Sequence, residues 1–339
     1  MIRLPALLAW LAVLAVSFML PVPAKASVGD GYLRIGPATR SQVAIEASRR
    51  KASGNSRPAF IKVGDSNLAN HYSMYGLGCY RFRPAGLRPS LVSLVGRYRR
   101  VRLPIGDPTS TSPNCNTGPS ANSFSRFSFA ARGGMTAAYP FVTGAEAGFP
   151  CEASTLTCEI NAVKPRYALI GFGTNEAQFA AGTTMSDGEL AAFALELEGI
   201  VRTTRASGVT PVLITAPFAV DTTFTITAGL PGRVVVVNRV IRQLAQSRRV
   251  PLIDLWFAQK QVIGPARRYG LTFDGVHLSS PPAADPWPGS VNLSEANRLR
   301  YGMNLRNYLV LVALEKLDGI PPAGRKKPGR LLQPAVTDQ

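Results

Sequence analysis

Ala59-Phe60-Ile61-Lys62-Val63-Gly64-Asp65-Ser66 is the stretch whose reading decides the fold. Phe60, Ile61 and Val63 form a short apolar, β-favouring run of the kind that makes a buried strand. Gly64-Asp65-Ser66 interrupts it, and Asn67-Leu68-Ala69-Asn70 then opens a helix. A strand feeding a helix through a tight turn sets the turn at the carboxyl edge of a sheet, where open α/β folds keep their ligand sites. Gly64 is expected to permit the turn. Ser66 is expected to face outward at a helix N-terminus, a fitting place for a nucleophile. Taken alone, Gly-Asp-Ser also describes an ordinary turn with a helix cap.

The pattern recurs further along. Tyr167-Ala168-Leu169-Ile170-Gly171 reads as a second buried strand, followed by the turn Gly173-Thr174-Asn175-Glu176. Ser186 and Glu189 make a capping box ahead of Leu190, Phe193, Leu197, Val201 and Thr204 at helical spacing, and Gly208 ends that helix. Residues 211–215 and 251–254 read as third and fourth strands, with Val237, Val240, Ile241 and Leu244 forming one face of the helix between them. A first helix is expected over 40–51, and a last one, capped by Asn292 with Glu295, carries Leu299, Met303, Val310, Leu314 and Leu317. Strands alternating with amphipathic helices predict a single α/β sandwich with a mainly parallel sheet covered on both faces.

The ends and the composition bound the rest. Arg3, the apolar run 4–20 and Ala24-Lys25-Ala26 make residues 1–26 a cleaved signal peptide, with an uncleaved anchor as the rival reading. The expected domain is 27–320, with an irregular Pro-, Arg- and Ser-rich insertion over about 77–122 above the sheet edge. A disordered basic tail is expected over 321–339. All four cysteines, Cys79, Cys115, Cys151 and Cys158, lie in the exported part and are expected as two disulfides. Cys151–Cys158 with Cys79–Cys115 closes the shortest loops. No Cys-x-x-Cys occurs and the chain has two histidines, so neither a metal nor another cofactor is expected. The formal charge of +18, or +16 without Arg3 and Lys25, fits attraction to an anionic membrane or envelope surface as well as simple solubility. Nucleic-acid motifs are absent.

A serine hydroxyl needs an adjacent base. His277, in Phe273-Asp274-Gly275-Val276-His277, is the stronger candidate, with Asp274 placed to orient its imidazole; His71, five residues after Ser66, is the weaker one. An ester's developing oxyanion also needs donors. The Ser66 N–H, an N–H of Gly134 in Arg132-Gly133-Gly134-Met135, and the Asn175 amide are the candidates. No G-x-S-x-G elbow, P-loop, H-E-x-x-H or dinucleotide fingerprint competes with them.

Gly64-Asp65-Ser66, the Gly134 region, Gly173-Thr174-Asn175-Glu176 and Asp274-Gly275-Val276-His277 together resemble, in order, the four blocks of the SGNH (GDSL-type) hydrolase superfamily. The resemblance runs from about Phe60 to Leu278. It implies a flavodoxin-like three-layer α/β/α sandwich, with Ser66 as nucleophile, Asp274 and His277 completing a triad, and Gly134 and Asn175 joining the Ser66 N–H in an oxyanion hole. Two departures stand out: Gly133 competes with Gly134 for that role, and Glu176 stands where the family commonly has Asp. The function implied is an exported esterase acting on small or polymeric esters, short-acyl ones above all. The alternatives are a lipase or lysophospholipase on the same scaffold and a non-catalytic envelope-binding protein.

Overall fold

The computed structural model describes residues 30–52, 57–79, 86–108, 120–282 and 290–324; the predicted signal segment and Cys115 lie outside them. The strands, in chain order, are β1 Leu33–Arg34, β2 Phe60–Gly64, β3 Leu103–Pro104, β4 Ser120–Ala121, β5 Tyr167–Gly171, β6 Thr210–Ile214 and β7 Leu252–Ile253. Five of them form one sheet in the order β1-β7-β6-β5-β2. β2, β5, β6 and β7 run parallel, and only the short edge strand β1 is antiparallel. β3 and β4 pair separately as an antiparallel ribbon.

The period of two in each strand divides its side chains between two cores. Phe60, Tyr167, Leu169, Val212, Ile214 and Ile253 join one apolar cluster, closed by the helices Pro89–Arg99 and Gly302–Asp318. Ile61, Val63, Ala168, Ile170, Leu213 and Leu252 join the other, covered by the helices Thr155–Val163, Asp187–Ala206 and Leu230–Ser247. The result is a three-layer α/β/α sandwich with a mainly parallel sheet. Its strands read as unbroken apolar runs because both faces are covered.

Several details differ from the expectation. Residues 89–99, inside the stretch expected to be irregular, form a core helix that buries Leu91, Leu94, Val95 and Tyr98. The last helix does not start at Asn292: Glu295–Arg298 is a separate turn, and the long helix begins at Gly302. That helix is not amphipathic. It is buried on every side, and carries Asn304, Arg306 and Asn307 into the interior. Residues 321–324 lie against the first helix, Pro37–Ala52, where the Ala323 N–H donates to the Ala44 carbonyl at 2.9 Å. The Ser186–Glu189 capping box forms, each partner satisfying the other's backbone N–H.

Cys151 and Cys158 are joined in a disulfide. Cys79 is also disulfide-bonded, and its expected partner Cys115 is outside the described residues.

Candidate active site

The site is built at the C-terminal edge of β2, β5 and β6. β2 ends at Gly64, and Ser66 opens a helix of a single turn, Ser66–Ala69, shorter than the sequence implied. Asp65 caps this turn, its side chain accepting from the Asn67 N–H at 2.9 Å. Gly64 is not in the left-handed region. Its need for glycine is one of room, because a Cβ there would run into the Gly171 carbonyl oxygen of the neighbouring strand and the Leu68 side chain.

The histidine arrives from far along the chain. His277 Nε2 lies 2.8 Å from Ser66 Oγ across 211 residues, and His277 Nδ1 lies 2.7 Å from Asp274 Oδ2. The second Asp274 oxygen accepts from the Thr272 hydroxyl at 2.6 Å and from the Val276 and His277 N–H groups at 3.0 Å each. Burial alone would raise this carboxyl, but those hydrogen bonds, with the His277 backbone N–H foremost, hold it at about 2. It is therefore an anion at neutral pH. Asn67 fastens the histidine loop to the serine turn: its side-chain oxygen accepts from the Leu278 N–H at 3.3 Å, and its amide nitrogen lies 3.5 Å from the Val276 carbonyl. From beneath, the buried Arg306 guanidinium donates to the Asn67 carbonyl.

Two loops complete the rim. The segment carrying Gly133 and Gly134 runs beside β2, with Gly64 N–H donating to Ala130 and Arg132 N–H donating back to Gly64. Upstream, the buried Glu159 carboxylate accepts from the Phe129 N–H and pairs with Arg126 at 2.9 Å, which pins the approach to this loop. Gly133 is the glycine beside Ser66: a Cβ on it would stand 3.7 Å from Ser66 Cβ. Gly134 has φ +76°, a left-handed turn that favours glycine. Across the rim, Gly173 at φ +118° starts the helix Thr174–Phe179. Its Asn175 donates through Nδ2 to the Met135 carbonyl at 2.7 Å. Ser66, Asp274, His277, Gly134 and Asn175 thus converge on one edge of the sheet, while His71 packs at a tilt against Tyr72, ring centroids 4.2 Å apart, and takes no part.

Three features were not anticipated from sequence. Asn67 and Arg306 brace the turn, and Glu176 bridges two backbone N–H groups, Gly173 at 2.8 Å and Ala137 at 2.7 Å. A further pair, Phe224 and Phe273, stands edge to face at 5.4 Å beside Asp274, both rings exposed. Among the described residues no His, Cys, Asp or Glu side chains cluster so as to hold a metal ion.

A three-layer α/β sandwich with a carboxylate–imidazole–hydroxyl chain at its strand ends has the form of a hydrolase site. Residues 121–281, a little under half of the chain, match the model of the GDSL-like lipase/acylhydrolase family, and the protein is a hydrolase acting on ester bonds. The matched segment contains Gly134, Asn175, Asp274 and His277 and begins after Ser66. Solved structures similar to it include a lipase/acylhydrolase from Enterococcus faecalis at 18% identity, covering 76% of this chain and 96% of that one with a TM-score of 0.44. A peptidoglycan O-acetylesterase is 12% identical, covering 85% of this chain and 99% of that one with a TM-score of 0.48. An acetylxylan esterase from Geobacillus stearothermophilus is 18% identical, covering 75% and 94% with a TM-score of 0.39. No curated protein matches this chain in sequence.

Proposed function

We propose that the protein is an exported serine esterase in which Ser66 attacks the ester carbonyl, His277 acts as general base and then general acid, and Asp274 orients the imidazole. The observation that carries this reading is the unbroken Asp274–His277–Ser66 chain at 2.7 and 2.8 Å. Ser66 Oγ forms a bond to the acyl carbon as its proton passes to His277 Nε2. The imidazolium, stabilised by the Asp274 anion, protonates the departing alkoxide as the ester C–O bond breaks. Water then repeats the sequence on the acyl-enzyme and frees the acid. The Ser66 N–H, an N–H of the Gly133–Gly134 pair and the Asn175 amide hold the oxyanion. An amide carries two N–H hydrogens, so the bond from Asn175 to Met135 leaves the second for substrate.

Ser66→Ala is expected to lower p-nitrophenyl acetate hydrolysis by several orders of magnitude and to abolish fluorophosphonate labelling, with an unchanged melting curve. Full activity in that variant would overturn the reading; absence of labelling in the folded wild-type protein would favour a binding protein instead.

The substrate we infer is a short-acyl ester of a carbohydrate or cell-envelope polymer. The signal-like segment 1–26, the Cys151–Cys158 disulfide and the charge of +18 support work outside the cytoplasm against anionic material. A longer acyl chain is the second reading, favoured by the exposed Phe224, Ile226 and Phe273 beside the Asp274 loop. An acyl series from acetyl to octanoyl separates them: falling kcat/KM with length supports the first, rising kcat/KM the second.

A further inference from the structure

We propose that Glu176 is a positioning residue that holds the Gly133–Gly134 loop in register with Ser66, so that the oxyanion donors stand ready before substrate arrives. The inference rests on the esterase reading above and deepens it.

A glutamate at the third position of a helix ordinarily reaches back to the cap N–H with one oxygen and leaves the other to solvent. Glu176 does the first through Oε2, which accepts from Gly173 at 2.8 Å. Its Oε1 goes elsewhere, to the Ala137 N–H at 2.7 Å, 39 residues earlier in the chain. The adjacent Asn175 grips the same loop two residues sooner, at the Met135 carbonyl. One donor and one acceptor on consecutive residues thus hold Met135 and Ala137, just after the Gly133–Gly134 pair. On its other side the loop is fixed by Arg132 N–H donating to Gly64. With both flanks tied, Gly133 and Gly134 have little freedom to swing away from the nucleophile.

The chemistry requires a carboxylate. Two N–H groups converge on one side chain, and an ionised acid offers each a strong acceptor with no competing O–H. A glutamine has a single acceptor oxygen, so one N–H would face an amide NH2. An aspartate keeps both oxygens but is one methylene shorter, and spans the gap from Gly173 to Ala137 less well. Burial raises the Glu176 carboxyl to about 7, with the neighbouring Asp65 charge adding to the rise and the Ala137 and Gly173 N–H groups opposing it. Asp65 is the ionisable side chain that faces it, one residue from the nucleophile. Protonation on the acid side turns one acceptor into a donor and loosens one of the two ties.

The test compares the full-length wild-type protein with Glu176→Gln and Glu176→Asp. Losing an oxyanion donor outright costs about a hundred- to a thousandfold; a donor left in place but less well held is expected to cost about tenfold. For Glu176→Gln, kcat on p-nitrophenyl acetate falls about tenfold with KM within about twofold, fluorophosphonate labelling of Ser66 slows in parallel, and the acid limb of the kcat/KM profile loses one ionisation. Glu176→Asp lies between Gln and wild type. A folded Glu176→Gln protein with unchanged kcat, labelling rate and acid limb overturns the inference. So does a pair of variants that lose melting temperature equally and show no ordered effect on kcat. Unlabelled wild-type protein would remove the esterase reading and this inference together, whereas normal labelling in all three proteins removes the inference alone.

Discussion

Asp65 carries a cost that the fold accepts right beside Ser66. Burial raises its carboxyl to about 6, while the Asn67 N–H, the nearby His277 and Arg306 pull the other way without cancelling the rise. A carboxyl whose pKa is higher folded than unfolded contributes stability that is fully present below about pH 4 and is lost as pH rises through 6. The shift from 3.8 to about 6 corresponds to at most about 3 kcal/mol. Asp65→Asn keeps an acceptor for the Asn67 N–H and removes the buried charge. The variant is therefore expected to melt higher than wild type at pH 8 and to lose that advantage by pH 4.5. Thermal melts at the two pH values check this, and an advantage independent of pH would refute the account. Residue-scale reasoning from sequence singled out Ser66, Asp274 and His277, which the fold brings within hydrogen-bond reach of one another, because each lies in a short local signature. It did not find the second role of Glu176, because the Ala137 N–H is supplied by a loop 39 residues away and leaves no mark on the neighbouring sequence.

At the scale of elements, the turn from β2 into the helix Ser66–Ala69 is the part least able to change. β2 and β5 approach closely where Gly64 faces Gly171, and the Leu68 side chain fills what remains. Gly64→Ala must push the strand or Leu68 aside, and backbone is not cheaply moved. An expected loss of about 2–4 kcal/mol, read by denaturant unfolding, with activity reduced in protein that stays folded, would bear this out; a neutral substitution would contradict it. The strands were legible because a parallel sheet covered on both faces writes itself as runs such as Tyr167–Gly171 and Thr210–Ile214. The helix Pro89–Arg99 was legible in principle. Pro89 stands at its start, and Leu91, Leu94, Val95 and Tyr98 keep helical spacing, but the surrounding arginines and serines masked the pattern. The last helix was expected from Met303, Val310, Leu314 and Leu317, but its start at Gly302 and its burial on every side were not, because such a helix has no polar face to contrast with an apolar one.

For the molecule as a whole, the Cys151–Cys158 disulfide ties the segment before the helix Thr155–Val163 to that helix, on which Cys158 lies. A loop of that length stabilises by about 2 kcal/mol in the chain-entropy picture. The double variant Cys151→Ser, Cys158→Ser is expected to melt lower by several degrees while retaining turnover of p-nitrophenyl acetate, since the loops that carry Ser66, Asp274 and His277 anchor elsewhere. Loss of turnover without loss of stability would mean that this segment reaches the site. The charge of +18 acts at the same scale. It does not select the acyl group, and it favours residence near anionic surfaces in a salt-dependent way.

The brace from Arg306 to the Asn67 carbonyl spans 239 residues. A chain built from its amino end lays down the serine early and the guanidinium beneath it among the last parts of the fold. Until the last helix has been made, the turn bearing the hydroxyl lacks both the His277 imidazole and the Arg306 underpinning, so this edge of the sheet is complete only when nearly the whole chain is present.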